Sequence, residues 1–205
     1  TDELEFPWGF DFLPNGNILV TERPGHLLLL NPASGDLKPI SGVPPVYYKG
    51  QGGLLDVLVP RDFDTSREVF LSFAKTLPDG SGTALAVGTL SQDGARLENL
   101  RLLFEMKTDS SGGRHFGGRM VEALDGTIFL TLGERGDRDS AQDRSRHNGS
   151  IVRINRDGSV PSDNPFVGQA DILPEIWSYG HRNPQGAALD LDGVLWVSEH
   201  GARGG

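Results

Sequence analysis

The sequence predicts an all-β fold built from repeated antiparallel meanders, and three observations carry that expectation. Apolar alternating runs recur in pairs, divided by tight-turn dipeptides such as Asn15-Gly16, Asp125-Gly126 and Asp192-Gly193. Positive φ is cheap at Asn-Gly and Asp-Gly, which favours tight hairpin turns. Twenty-eight glycines and thirteen prolines supply many further turns, and no segment of any length has helical periodicity.

The strands follow in order. The first unit has Trp8 to Leu13, the Asn15-Gly16 turn, Ile18 to Thr21, then His26 to Leu30 after Arg23-Pro24-Gly25. The second has Leu54 to Val59, Val69 to Ala74 and Thr83 to Leu90, with Leu97 to Met106 as a candidate outer strand. The third has Arg119 to Leu124, Thr127 to Leu132 and Ser150 to Asn155, and the last has Ala187 to Leu191 and Val194 to Ser198. Four-stranded repeats at intervals of roughly 40–50 residues are the pattern of propeller blades. Inserted loops such as 133–148 lengthen the spacing here. A β-sandwich is the alternative reading. The expectation is one partial β-propeller domain over 1–205, about three to four blades, cut at its C-terminal side because Glu199 to Gly205 follows the last strand directly. Such a cut would leave strand edges open to self-association.

Composition narrows the function. The chain carries a net charge of −9, which argues against a nucleic-acid partner, since those surfaces are basic. No apolar run approaches the roughly 18 residues of a membrane span. With no cysteine, disulfide and thiol chemistry are excluded. No signal peptide is present, and Thr1-Asp2-Glu3 does not read as a native start, so targeting is not legible.

Chemistry concentrates in loops. Gly112-Gly113-Arg114-His115-Phe116-Gly117-Gly118-Arg119 puts a histidine among four glycines. Glycines let the backbone turn sharply and approach a ligand, and a histidine there suits general-base work near neutral pH. A glycine-rich turn with an exposed histidine is the competing reading. Gln51, in Gly50-Gln51-Gly52-Gly53, is either a hydrogen-bonding group for a carbonyl-rich ligand or a polar turn residue. Glu134 could orient a histidine or an arginine, or be a surface carboxylate. Arg182, in Trp177 to Gly186, offers a planar fork for carboxylates, or is an arginine buried by the two aromatics of that stretch; Asn183 precedes Pro184 and is biased to extended or turn backbone. The Arg135-Gly136-Asp137 triplet and the Asn148-Gly149-Ser150 acceptor pattern are too short to carry weight. No zinc ligand set, phosphate loop or Gly-x-Ser-x-Gly elbow occurs.

Taken together, Gly50 to Val57, Arg114 to Arg119, Leu132 to Asp137, Ser162 to Phe166, Pro174 to Gly186 and Leu195 to Gly205 resemble the glucose/sorbosone dehydrogenase family, nearest its soluble aldose sugar dehydrogenases. The resemblance implies a six-bladed β-propeller that binds pyrroloquinoline quinone (PQQ) and calcium and oxidises the C1 hydroxyl of aldoses to lactones. It implies that His115 is the catalytic base and Glu134 its support. Gln51, Arg182 and Asn183 would contact PQQ, and the carbonyls of Gly201 and Ala202 would hold calcium. Family members usually carry proline at the Ala202 position. An aldose substrate, an external electron acceptor and a periplasmic or secreted location are also implied. The family's later cationic cofactor ligands have no counterpart within these residues. A non-catalytic propeller fragment that binds or assembles, and a calcium-dependent lactonase of propeller form, are the rival readings.

Overall fold

In the computed structural model, residues 3–201 are described, except Asp109. The described residues form fourteen strands in four antiparallel sheets, each a simple meander. The first sheet holds β1 (Pro7–Phe12), β2 (Ile18–Glu22), β3 (His26–Leu30) and β4 (Leu37–Ile40). The second holds β5 (Leu54–Leu58), β6 (Glu68–Leu77), β7 (Gly80–Leu90) and β8 (Leu97–Glu105). The third holds β9 (Gly117–Glu122), β10 (Ile128–Leu132), β11 (Ser150–Ile154) and β12 (Ile176–Tyr179). A two-stranded sheet, β13 (Pro184–Leu189) and β14 (Leu195–Glu199), comes last. The helical content among the described residues is one short turn of α-helix, α1 (Phe63–Ser66), and one 3₁₀ turn at Asp139–Gln142.

Two strands escape the sequence pattern. β4 contains Pro39 and β12 spans four residues, and both are the last strand of their sheet. Proline is tolerated at a sheet edge because the missing N–H would face outward.

The core lies between the sheets. Leu19, Leu27, Leu54, Leu71 and Leu90 fill the space between the first two. Phe70, Leu85, Met120, Leu130 and Val152 fill the space between the second and third. Phe129 and Ile151 meet Leu195 and Val197 of the last hairpin. Each large side chain so buried is worth roughly 1.5–3 kcal/mol. β5, β10 and β11 are buried at every position, since sheets cover both their faces. The first strands of successive sheets contact one another, β1 with β5, β5 with β9 and β9 with β13.

Polar ties cross between these first strands. Arg119 of β9 donates from Nη1 to Asp56 Oδ1 of β5 at 2.6 Å and from Nε to the Gln185 carbonyl of β13 at 3.1 Å. Its guanidinium also lies 4.8 Å from the ring centre of Trp8 in β1. Asp56 further accepts from the Met120 N–H at 2.8 Å. One arginine thus touches all four sheets. Burial pushes the Asp56 carboxyl up to about 7, against the pull of Arg119 and its hydrogen bonds.

Candidate active site

The ends of β10 and the starts of β5, β9 and β13 bring four loops to one place. The register explains the central pair. Leu130 faces Met120, but a bulge intervenes and Leu132 faces Gly117. Just beyond the bulge the two strands run into the loops that carry His115 and Glu134, whose side chains meet there. Bulges commonly re-aim a side chain in this way. Gly117 and Gly118 supply it, with φ of 65° and 108°, conformations that glycine adopts without strain.

His115 Nδ1 lies 2.5 Å from Glu134 Oε2, and both residues are buried, at 8% and 5% exposure. A carboxylate only accepts hydrogen bonds, so Nδ1 carries the proton and the Nε2 lone pair is left free for base chemistry. His115 itself has φ of 55°, a left-handed value uncommon outside glycine and asparagine. Its backbone is held from both sides. Its N–H donates to Gln51 Oε1 at 2.7 Å, and its carbonyl accepts from the Arg135 N–H at 3.3 Å. Any side chain at Gly133 would overlap the His115 carbonyl, so that position must stay glycine for the pair to form.

Gln51 completes a two-way stitch, its own N–H donating to the Gly113 carbonyl at 2.7 Å. Asn183 is 2% exposed, and its Oδ1 accepts from the Gly117 N–H at 3.1 Å, fixing the bulge. The Arg182 carbonyl accepts from the Glu134 N–H at 2.9 Å. Direct hydrogen bonds therefore link Gln51 to His115, His115 to Glu134 and Glu134 to Arg182. The half-buried Arg182 side chain reaches the His200 carbonyl at 2.8 Å, while Trp177 and Tyr179 lie under Arg153 and Arg144 instead. Gly201 is exposed beyond β14, and Ala202 lies outside the described residues.

Beside Glu134 opens a cleft of about 720 Å³, lined by Glu134, Arg138, Asp139, Gln142, His181 and Arg182 among others. Burial holds the His181 ring below its ordinary value, against the neighbouring Glu199.

Several contributors were not legible beforehand. Glu199 Oε2 accepts from the N–H groups of Arg182 and Asn183 at 2.7 and 3.1 Å. Asn148 is fully buried, its Nδ2 donating to Ser110 Oγ and the Glu134 carbonyl, so the glycosylation pattern there is not displayed. Arg135 is 2% exposed, so the Arg-Gly-Asp triplet is not displayed either. Asp56 had a signal that could have found it, a charge inside an otherwise apolar run; Arg135 and Glu199 had none.

No group of three or more His, Cys, Asp or Glu converges on a metal position among the described residues. No helix there is long and apolar enough to cross a membrane. Arg182 and Arg138 stand as cations in the cleft, facing the carboxylates of Glu134 and Asp139, and Gln51 is an amide beside His115; the two arginines are the groups there that could meet an anionic cofactor.

A family model described as glucose / sorbosone dehydrogenase matches residues 4–205. The chain is 44% identical over 207 residues to the aldose sugar dehydrogenase YliI of Escherichia coli strain K12, covering all of this chain and 56% of that protein. It is 30% identical over 229 residues to quinoprotein glucose dehydrogenase B of Acinetobacter calcoaceticus, covering 95% of this chain and 45% of that protein. The PQQ-bound aldose sugar dehydrogenase of Streptomyces coelicolor superposes with a TM-score of 0.84 at 31% identity, over 97% of this chain and 57% of that one. The chain thus spans about half the length of the curated relatives it matches.

Proposed function

This chain belongs to the glucose/sorbosone dehydrogenase family, and on that premise we propose that it carries the catalytic base and part of the cofactor site of a PQQ-dependent aldose sugar dehydrogenase. The observation that carries the reading is the buried His115–Glu134 pair at 2.5 Å beside a polar cleft. In this reading the four sheets are successive blades of a propeller, and the site sits where their first strands converge.

The roles follow from the atoms. Glu134 holds the imidazole with its proton on Nδ1. Nε2 of His115 takes the proton of the sugar C1 hydroxyl, a general-base step. A quinone cofactor bound beside His115 would supply the acceptor for the hydride equivalent from C1, and calcium would supply Lewis-acid polarisation. Arg182 and Asn183 would hold the cofactor, Arg182 through its guanidinium opposite carboxylates. Gln51 would orient it while fixing the His115 backbone. The carbonyls of Gly201 and Ala202 would take calcium. In this reading Asp139 and Gln142, which line the cleft beside Glu134, would be available to the sugar hydroxyls. An external electron acceptor and a periplasmic or secreted location belong to the same proposal.

Reconstitution with PQQ and calcium, followed by dye reduction with glucose, tests it. In a protein restored to the length of its relatives, His115→Ala is expected to lower kcat by about 10²–10⁴-fold while PQQ absorbance titrations change little. A variant with near wild-type turnover would remove His115 from the mechanism. Absence of both PQQ binding and dye reduction in the wild type would favour a non-catalytic binding module.

A further inference from the structure

We propose that Arg135 is the positioning residue for His115, holding the glycine-rich loop in the backbone shape that aims the imidazole. The proposal rests on His115 being the base.

One buried guanidinium grips the loop on both sides of the histidine. Its Nη2 donates to the Gly112 carbonyl and its Nη1 to the Arg114 carbonyl. Its Cζ lies 3.4 Å from the ring centre of Phe116. The same group is anchored in the neighbouring sheet, with Nε to the Ser81 carbonyl at 3.2 Å and Nη2 to Ser81 Oγ at 2.9 Å. The Arg135 N–H meets the His115 carbonyl itself. Residues 112, 114, 115 and 116 are thus all fixed by one side chain and its own amide. Because Glu134 and Arg135 are adjacent, one dipeptide at the end of β10 holds both the imidazole and the loop that carries it.

Stability alone does not account for this choice. Among the described residues Arg135 makes no ion pair with a carboxylate, and its charge is met by carbonyls, a hydroxyl and a ring. Burying a cation without a directly paired counter-ion is unfavourable, and burial depresses the Arg135 guanidinium to about 10 against the opposing pull of Tyr47 and Glu134. An apolar side chain would fill the same space more cheaply. What it could not supply is a rigid planar fork with several donors at fixed angles. The loop needs that restraint, because four glycines leave it free and His115 sits at φ of 55°.

The test uses two variants, Arg135→Lys, which keeps the charge and loses the fork, and Arg135→Met, which keeps the length and loses both. In the PQQ-loaded enzyme each is expected to lower kcat for glucose about 10–100-fold, the size of effect that a misplacement of about 1 Å produces, with KM changed less than about threefold. In the cofactor-free chain, ¹⁵N NMR of the histidine side chains is the independent readout. The wild type is expected to show His115 in one tautomer, protonated at Nδ1, and both variants to show mixed tautomers or a broadened signal. Wild-type kcat in a variant that has merely lost thermal stability would overturn the proposal, as would reduced kcat with an unchanged His115 signal. If His115→Ala retains turnover, the base assignment fails. The NMR comparison would still decide whether Arg135 fixes the ring.

Discussion

The hairpins β9–β10 and β13–β14 are built from the same local code and end in opposite surroundings. Each turns through Asp-Gly, with the glycine at φ of 85° and 80°. Each closes with equivalent bonds, Ala123 N–H to the Thr127 carbonyl at 2.8 Å and Asp190 N–H to the Val194 carbonyl at 3.0 Å. Yet Ile128, Leu130 and Leu132 are fully buried, while Val194 and Trp196 are 55% and 66% exposed. The difference is in the neighbours. β10 has the second sheet on one side and the last hairpin on the other, whereas β14 meets a sheet on one side. Alternation and turn chemistry suffice to make a hairpin; they do not say whether its apolar face is covered.

The sharpest test of that contrast is Leu130→Ala. It should lower unfolding free energy by about 2–5 kcal/mol, the range for emptying a packed leucine site, measured by urea titration. A loss below about 1 kcal/mol would mean that the core between the second and third sheets is loosely packed.

A carboxyl pair carries the same contrast into pH. Burial raises Asp56 to about 7. Asp190, exposed at the β13–β14 turn, is held below the usual carboxylate range by the Trp196 indole and nearby N–H groups. The folded state holds the Asp56 proton more tightly than the unfolded chain does. Its contribution is therefore fully present below the ordinary value of 3.8 and lost as pH rises to about 7. His147 acts in the opposite sense, since burial holds its ring below 6.5 despite Glu175. The readout is therefore the wild type compared with Asp56→Asn. Over pH 4 to 7 that difference should change by something on the order of 1–3 kcal/mol. Parallel profiles would show that Asp56 keeps an ordinary carboxyl in the fold.

The smallest effect is expected at the exposed end. Trp196→Ala should change stability by less than about 0.5 kcal/mol, as for most surface positions. Its indole donates to Asp190 Oδ2 at 2.8 Å, but at the surface. A loss near that of Leu130→Ala would mean that this face is covered in solution, as pairing through the exposed flank would require.

Particular residues show where reading the sequence succeeds. The strand His26–Leu30 has the limits expected from the apolar run after Arg23-Pro24-Gly25, and the three tight turns fall at their dipeptides. β4 and β12 went unseen because Leu37-Lys38-Pro39-Ile40 and Ile176-Trp177-Ser178-Tyr179 are short edges without clear alternation. His115, Glu134, Gln51, Arg182 and Asn183 each stand out in the sequence as polar residues in loops. Their separate hydrogen bonds were not foreseeable, nor was the structural duty of Asn183 at the bulge.

By itself, the sequence determined most of the strands, the turns and the kinds of side chain available for chemistry. Periodicity, φ preference and pKa class are properties of a residue and its near neighbours. Only the tertiary structure decided that the His115 and Glu134 side chains meet just beyond a one-residue bulge, and that Arg135 is buried against the loop instead of displayed. Register and burial depend on contacts between segments far apart in the chain. A one-residue slip changes every pairing along a strand while leaving its local pattern untouched.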